Sequence, residues 1–163
     1  MTPPSAAVSQ RTTPAPWPPR DADHLLVSGS QMAALEEQLF ASGLPVEALM
    51  EKAALAVSRR MIQRLARLRQ PGVADPGVIV LVGPGHNGGD GLVVARELHL
   101  CGHRVRLWCP FERLRPLTEA HARHASWLGI PRLEAAPDPG DPALWVDALF
   151  GIGQSRPPGP TLE

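Results

Sequence analysis

One run carries the strongest chemical signal in this sequence: Gly83-Pro84-Gly85-His86-Asn87-Gly88-Gly89-Asp90-Gly91. Within it Gly83, Gly85 and Gly88 match the pattern G-x-G-x-x-G. Glycines admit a tight turn and let backbone N–H groups approach a phosphate, and a helix that starts there adds the positive end of its dipole. Spacing alone leaves two readings open, a phosphate cradle or a tight strand-to-helix turn with no ligand. Two common continuations are absent. Gly91 is followed by Leu92-Val93 rather than by the Lys-Ser/Thr of a P-loop. The next apolar run ends in Trp108-Cys109-Pro110-Phe111, with Glu112 just beyond, so the acid that grips a ribose in dehydrogenases is not in place and hydride transfer is not supported. His86, Asn87 and Asp90 add polar groups that a plain glycine fingerprint lacks. A second point of chemistry is Asp147, set in the apolar run 144–150. A carboxylate there is costly to bury unless it is hydrogen-bonded, paired or bound to a cation. Asn87 and Asp147 offer hard oxygen donors, suited to K⁺, Na⁺ or Mg²⁺ rather than zinc. His99, His103, His121 and His124 form no zinc-binding pattern with the cysteines.

The elements that must position these residues follow from periodicity. Val78-Ile79-Val80-Leu81-Val82 is continuously apolar, as a parallel strand covered on both faces requires. The glycine run follows at once, then 92–100 reads as a helix closed by Gly102. A strand over 105–109, a helix from Pro116 to about Leu128, a short strand near Arg132-Leu133-Glu134 and a strand within 143–150 complete the pattern. Upstream, Ser28 and Gln31 fit a capping box, Met32, Leu35 and Leu39 recur at helical spacing, and Gly43 ends that helix. Pro45 opens another, on which Leu49, Ala53, Val57, Met61 and Leu65 form the expected core stripe. Residues 1–25 are rich in proline and read as a disordered tail.

Alternating strands and helices predict right-handed crossovers and a mostly parallel sheet, a Rossmann-like three-layer α/β/α fold. In a sheet of order 3-2-1-4 the strands at 78–82 and 143–150 are neighbours, and Asn87 and Asp147 meet across the switch-point crevice where open α/β sheets bind ligands. After Gly151 only a short Gly- and Pro-rich stretch remains, so residues 26–163 are expected to be a partial domain lacking its last strands. The strand at 143–150 is then an exposed edge that a partner, such as the other half of a homodimer, would cover.

The 163 residues fit one domain, and 44% hydrophobic content permits a sizeable core. Lys and Arg number 16, as do Asp and Glu, which argues against nucleic acid or a polybasic membrane contact. No run is apolar enough to span a bilayer and no secretory signal is visible, so a cytoplasmic location is expected. Cys101 and Cys109 read as buried free thiols.

These blocks together resemble the YjeF N-terminal domain family of NAD(P)H-hydrate epimerases. The resemblance rests on Ser30-Gln31-Met32 with Glu36, on Leu49-Met50-Glu51-Lys52-Ala53-Ala54, on residues 83–91 followed by Leu92-Val93-Val94-Ala95-Arg96, and on Val146-Asp147-Ala148-Leu149-Phe150-Gly151-Ile152-Gly153. It implies an isomerase that interconverts the R and S epimers of NADHX and NADPHX, the hydrated nicotinamide dinucleotides. An ADP- or ATP-dependent NAD(P)H-hydrate dehydratase is implied as the functional partner. By similarity, His86, Asn87, Gly88, Gly89 and Asp90 contact the substrate, Gly151, Ile152, Gly153, Gln154, Ser155, Arg156 and Pro157 form a second substrate loop, and Asn87 and Asp147 coordinate potassium. His86 stands where the family has a first Asn, and Ala54 where it often has Gly. The aspartate usually assigned to catalysis belongs to an Asp-Ile-Pro-Ser-Gly block that the resemblance places beyond Glu163. The sequence does not contain that block, so the catalytic group is not assigned. A non-catalytic binding or scaffold module of the same fold is the alternative.

Overall fold

The computed structural model describes residues 26–68, 75–155, 157–159 and 162. The expected tail at 1–25, the loop at Pro71-Gly72, Arg156 and Glu163 lie outside them. In chain order the elements are α1 (Gly29–Ala41), α2 (Val46–Leu68), β1 (Val78–Val82), α3 (His86–Leu100), β2 (Val105–Trp108), α4 (Pro116–Trp127), β3 (Arg132–Leu133) and β4 (Leu144–Ala148). The four strands form one parallel sheet of order β3-β2-β1-β4, as the alternation of elements predicts. β1 is central: Val80 lies opposite Leu107 on one side and Val146 on the other. β4 forms an edge of this sheet, also as expected.

Alternate residues of β1 turn Val78, Val80 and Val82 toward α3, where they join Leu92, Val93, Ala95 and Leu98 in the core. On the other face a shallow cavity of about 420 Å³ is lined by Leu81, Trp108, Ala136, Pro137, Pro139 and Trp145. No helix among the described residues is long and apolar enough to cross a membrane.

Three expectations change. The core stripe of α2 is rotated by one residue in its first turns, where Met50, Ala54 and Ser58 are buried and Ala53 and Val57 exposed, while further along Leu65 is buried and Met61 packs against the core as expected. Small residues at 54 and 58 let α2 approach α3 closely, so the packing face follows the small side chains, not the longest apolar row. Ser58 satisfies its hydroxyl within the helix, donating to the Ala54 carbonyl at 2.7 Å. On α1 the capping box forms as predicted, but no residue of that helix is buried, and Met32 and Leu35 remain 38% and 46% exposed. Cys109 is buried as expected, while Cys101 caps the end of α3 and is exposed.

α2 and α3 are also tied by charge. The Arg96 guanidinium donates to both carboxylate oxygens of Glu51, at 2.9 and 2.7 Å, and to Glu97 at 2.9 Å. Hydrogen bonding to Arg96 is the largest cause that holds the Glu51 carboxyl below its ordinary 4.5. A depressed carboxyl stabilises the fold above its unfolded value, and that contribution is lost as pH falls through the folded one. Arg96→Met is expected to cost about 2 kcal/mol in urea denaturation at pH 7, and less as the pH drops below about 4. An equal cost at pH 7 and pH 3 would show that the stem, not the ion pair, carries the effect.

Candidate functional site

β1 ends at Val82 and the chain turns within Gly83-Pro84-Gly85 into α3. The sequence pattern starts this helix at Leu92; the structure starts it at His86, with Gly85 as its N-cap. The helical placement of Asn87-Gly88-Gly89-Asp90-Gly91 has a packing cause. A Cβ on Gly91 would lie 2.5 Å from the Ala148 Cβ, and one on Gly89 2.7 Å from the Met50 side chain. A Cβ on Gly88 would collide with the Gly83 carbonyl, and one on Gly83 with the Leu149 backbone. Glycine costs a helix up to about 1 kcal/mol per residue relative to alanine. Here that cost is accepted because the axis of α3 runs too close to β1, β4 and α2 for side chains. Gly85 differs: nothing lies within 4 Å of where its Cβ would be.

The first helical bond of this turn runs from the Gly89 N–H to the Gly85 carbonyl at 3.2 Å. The N–H groups of His86, Asn87 and Gly88 precede it and have no place in the helical ladder. No side chain caps the helix. The result is a set of backbone donors at the positive end of a helix dipole, beside open space at Gly85, which suits an anionic ligand group.

The turn is fixed from two sides. The Arg115 N–H donates to the Pro84 carbonyl at 2.9 Å, and the Thr118 hydroxyl to the Gly85 carbonyl at 2.8 Å. Thr118 is fully buried. Neither residue is marked by the glycine pattern; an isolated Thr far along the chain gives no signal until the start of α4 is known to abut the turn. From the β4 side, Gly83 N–H donates to the Ala148 carbonyl at 3.0 Å, and the Asn87 amide nitrogen donates to the Phe150 carbonyl at 3.0 Å.

That last bond brings the two expected halves of the site together, with a correction. Asn87 is held by Phe150, and Asp147 accepts instead from the Leu149 N–H at 2.9 Å. Asp147 is exposed, so the burial cost expected for it does not arise on an edge strand. A carbonyl only accepts, so the Asn87 nitrogen must face Phe150, which leaves its Oδ1 available. Asn87 Oδ1 and the Asp147 carboxylate are each hard oxygen donors of the kind that suits a monovalent or divalent cation, with one Asp147 oxygen engaged by the Leu149 N–H.

Gly151 passes against Asn87, its Cβ position 3.3 Å from the Asn87 Cβ. Ile152 reaches the start of α1, where a Cβ on Gly29 would lie 3.8 Å from it. Gly151, Ile152, Gly153, Gln154, Ser155 and Pro157 are all exposed. His86 is exposed on the first turn of α3. Asp90 lies one turn further along and is half-buried; burial first, and the charge of Glu36 on α1 second, push its carboxyl up to about 6. Phe111, after β2, meets Phe150, after β4, edge to face with ring centroids 6.2 Å apart. Both rings thus gather at the carboxyl end of the sheet.

A helix N-terminus at the end of a central parallel strand, beside the crevice where strand order reverses, defines an α/β protein of the Rossmann-like class. The chain belongs to the family described as YjeF-related protein N-terminus, which it matches over residues 46–162. The Ser30–Glu36 block of the expected resemblance precedes that match. The chain is 47% identical over 131 residues to the bifunctional NAD(P)H-hydrate repair enzyme Nnr of Thermosynechococcus vestitus, a match that covers 80% of this chain and 25% of the relative. It is 41% identical over 136 residues to the NAD(P)H-hydrate epimerase of Rhodobacter capsulatus, covering 81% of this chain and 64% of that one. A crystal structure of yeast Ynu0 superimposes with a TM-score of 0.69 at 27% identity, over 85% of this chain and 61% of the yeast chain. The chain thus spans less than two thirds of the length of each of these relatives.

Proposed function

We propose that this chain carries the dinucleotide-binding half of an NAD(P)H-hydrate epimerase, which interconverts the R and S epimers of NADHX and NADPHX. The observation that supports it best is the Asn87–Phe150 bond, because it unites the N-G-G-D-G and V-D-A-L-F-G segments at one crevice. The chain's own residues have distinct tasks. The N–H groups of His86, Asn87 and Gly88 bind the diphosphate, Gly85 leaves room for its approach, and residues 151–155 with Pro157 form the second substrate loop. Asn87 Oδ1 and Asp147 hold a potassium ion. When bound, potassium supplies a fixed positive charge beside the substrate. An NAD(P)H-hydrate dehydratase that takes the S epimer is the functional partner, the exposed edge of β4 is the surface for a second copy of the chain, and the site of action is the cytoplasm.

The test is epimer exchange followed by chromatography of purified R-NADHX with this chain, alone and extended by the C-terminal remainder of the Rhodobacter capsulatus relative, with and without K⁺. Acceleration over the spontaneous rate is expected for the extended form in K⁺. Asn87→Ala and Asp147→Ala are each expected to abolish the K⁺ dependence and to reduce the rate by at least about tenfold. Binding of NADHX with no acceleration in either form would overturn the epimerase reading in favour of a binding module.

A further inference from the structure

The loop that follows β2 carries chemistry that the epimerase reading does not use. In a parallel sheet of this strand order, a dinucleotide with its diphosphate on the helix after β1 places its adenosine ribose at the carboxyl end of β2. An acid at that end binds the ribose 2′-hydroxyl, and an arginine accommodates a 2′-phosphate. Here β2 ends at Trp108, and among the described residues no carboxylate stands on β2 itself. A guanidinium lies at its carboxyl end. Arg132, on β3, reaches across to donate to the Cys109 carbonyl at 2.6 Å, so its head is fixed at the last turn of β2. Arg113 and Arg115 follow in the same loop, both exposed, and the main chain of Arg115 is fastened to the glycine turn through Pro84. None of the three arginines is paired with a carboxylate among the described residues. Two exposed carboxylates oppose them, Glu112 in the same loop and Glu134 directly after β3.

We infer that the carboxyl end of β2 is a 2′-phosphate site in which Arg132, fixed on the Cys109 carbonyl, is the specificity-determining residue, so that the chain favours NADPHX over NADHX. The inference rests on the dinucleotide reading and sharpens it. A guanidinium anchored by one N–H keeps the rest of its fork for phosphate oxygens, and guanidinium–phosphate bonds are about twice as strong as neutral ones. Arg113 and Arg115 add local positive potential but lack the anchor. Because the three arginines lie at the surface, the preference is screened by salt.

The test is calorimetric titration of the full chain at low salt with adenosine 2′,5′-bisphosphate, adenosine 5′-monophosphate, NADP⁺ and NAD⁺. Each 2′-phosphorylated ligand is expected to bind about tenfold or more tightly than its counterpart. Arg132→Met, which keeps much of the apolar stem, is expected to bring the ratio close to one without weakening the 5′-monophosphate, and Arg132→Lys to recover part of it. Equal affinities in the unsubstituted chain overturn the specificity inference and leave the dinucleotide reading standing. Loss of the 2′-phosphorylated ligands and their counterparts alike in Arg132→Met overturns it as well, since Arg132 would then merely brace the loop. No binding of any of the four ligands removes the dinucleotide reading and this inference with it.

Discussion

Gly88→Ala is expected to unfold the turn, and Gly85→Ala to leave the fold intact while emptying the site. The two glycines are three residues apart in one fingerprint, yet their surroundings are opposite. A methyl on Gly88 has to enter the space of the carbonyl of Gly83, a residue pinned to β4 by its N–H on the Ala148 carbonyl. Backbone cannot swing aside as a side chain does, so α3 must lift from the sheet and disturb Leu92, Val93 and Ala95 behind it. Overpacking of this kind costs about 3 kcal/mol or more, a large share of a domain's stability. Gly83→Ala, which collides with Leu149, belongs with it. Gly85→Ala meets nothing within 4 Å, and its φ of −97° suits an L residue. A few tenths to 1 kcal/mol is the expected cost at an N-cap. Its methyl, however, projects into the space beside the free N–H groups of α3, so adenosine 5′-monophosphate affinity should fall by at least about tenfold. Urea denaturation and calorimetry on both variants read the two effects separately. A Gly85→Ala protein that binds as well as the original chain would show that the open face of the turn is not where phosphate lies.

The same contrast explains what the sequence could and could not reveal. Strand order, the direction of every strand and the meeting of residues 83–91 with 146–151 follow from runs such as Val78-Ile79-Val80-Leu81-Val82 and from crossover handedness, and the structure agrees. The start of α3 is hidden because glycine is a poor helix former, and only the proximity of Met50, Val80 and Ala148 makes it helical there. The buried row of α2 is hidden for a related reason: Ala54 and Ser58 are inconspicuous by hydrophobicity and are chosen by how near α3 comes. The apolar neighbours of Asp147 suggest a buried carboxylate, but burial of an edge strand depends on what covers it. Thr118 and Arg132 are illegible because each acts on a main-chain carbonyl 33 and 23 residues away in sequence, a relation that no local pattern carries.

Asp90→Asn is expected to stabilise the chain at neutral pH and to flatten its stability profile between about pH 4 and 6. The carboxyl is pushed up from 3.8 to about 6, first by burial and then by Glu36. A carboxyl raised in the folded state binds its proton more tightly there than when unfolded. Between the two values the folded form holds more protons, so stability falls as pH rises through that window and stays reduced above it. The sign is opposite to that of Glu51 and Asp141, whose carboxyls are held low and whose contributions are lost at acid pH. The informative quantity is therefore the difference between the two proteins' profiles, in which those groups cancel. For a carboxyl that solvent still reaches, the removed penalty is on the order of 1–2 kcal/mol after screening. Glu36→Gln should recover a smaller part, because its charge is the secondary cause. Parallel profiles for the original chain and Asp90→Asn from pH 4 to 7 would show that Asp90 is solvated like a surface acid. If the difference appears, Asp90 is a carboxyl kept at a cost to the fold beside the proposed diphosphate contacts, and the reason for keeping it lies with the ligand. Asp90→Asn should then change the pH dependence of adenosine 5′-monophosphate binding over the same interval, while Arg96→Met, remote from the turn, leaves it unchanged.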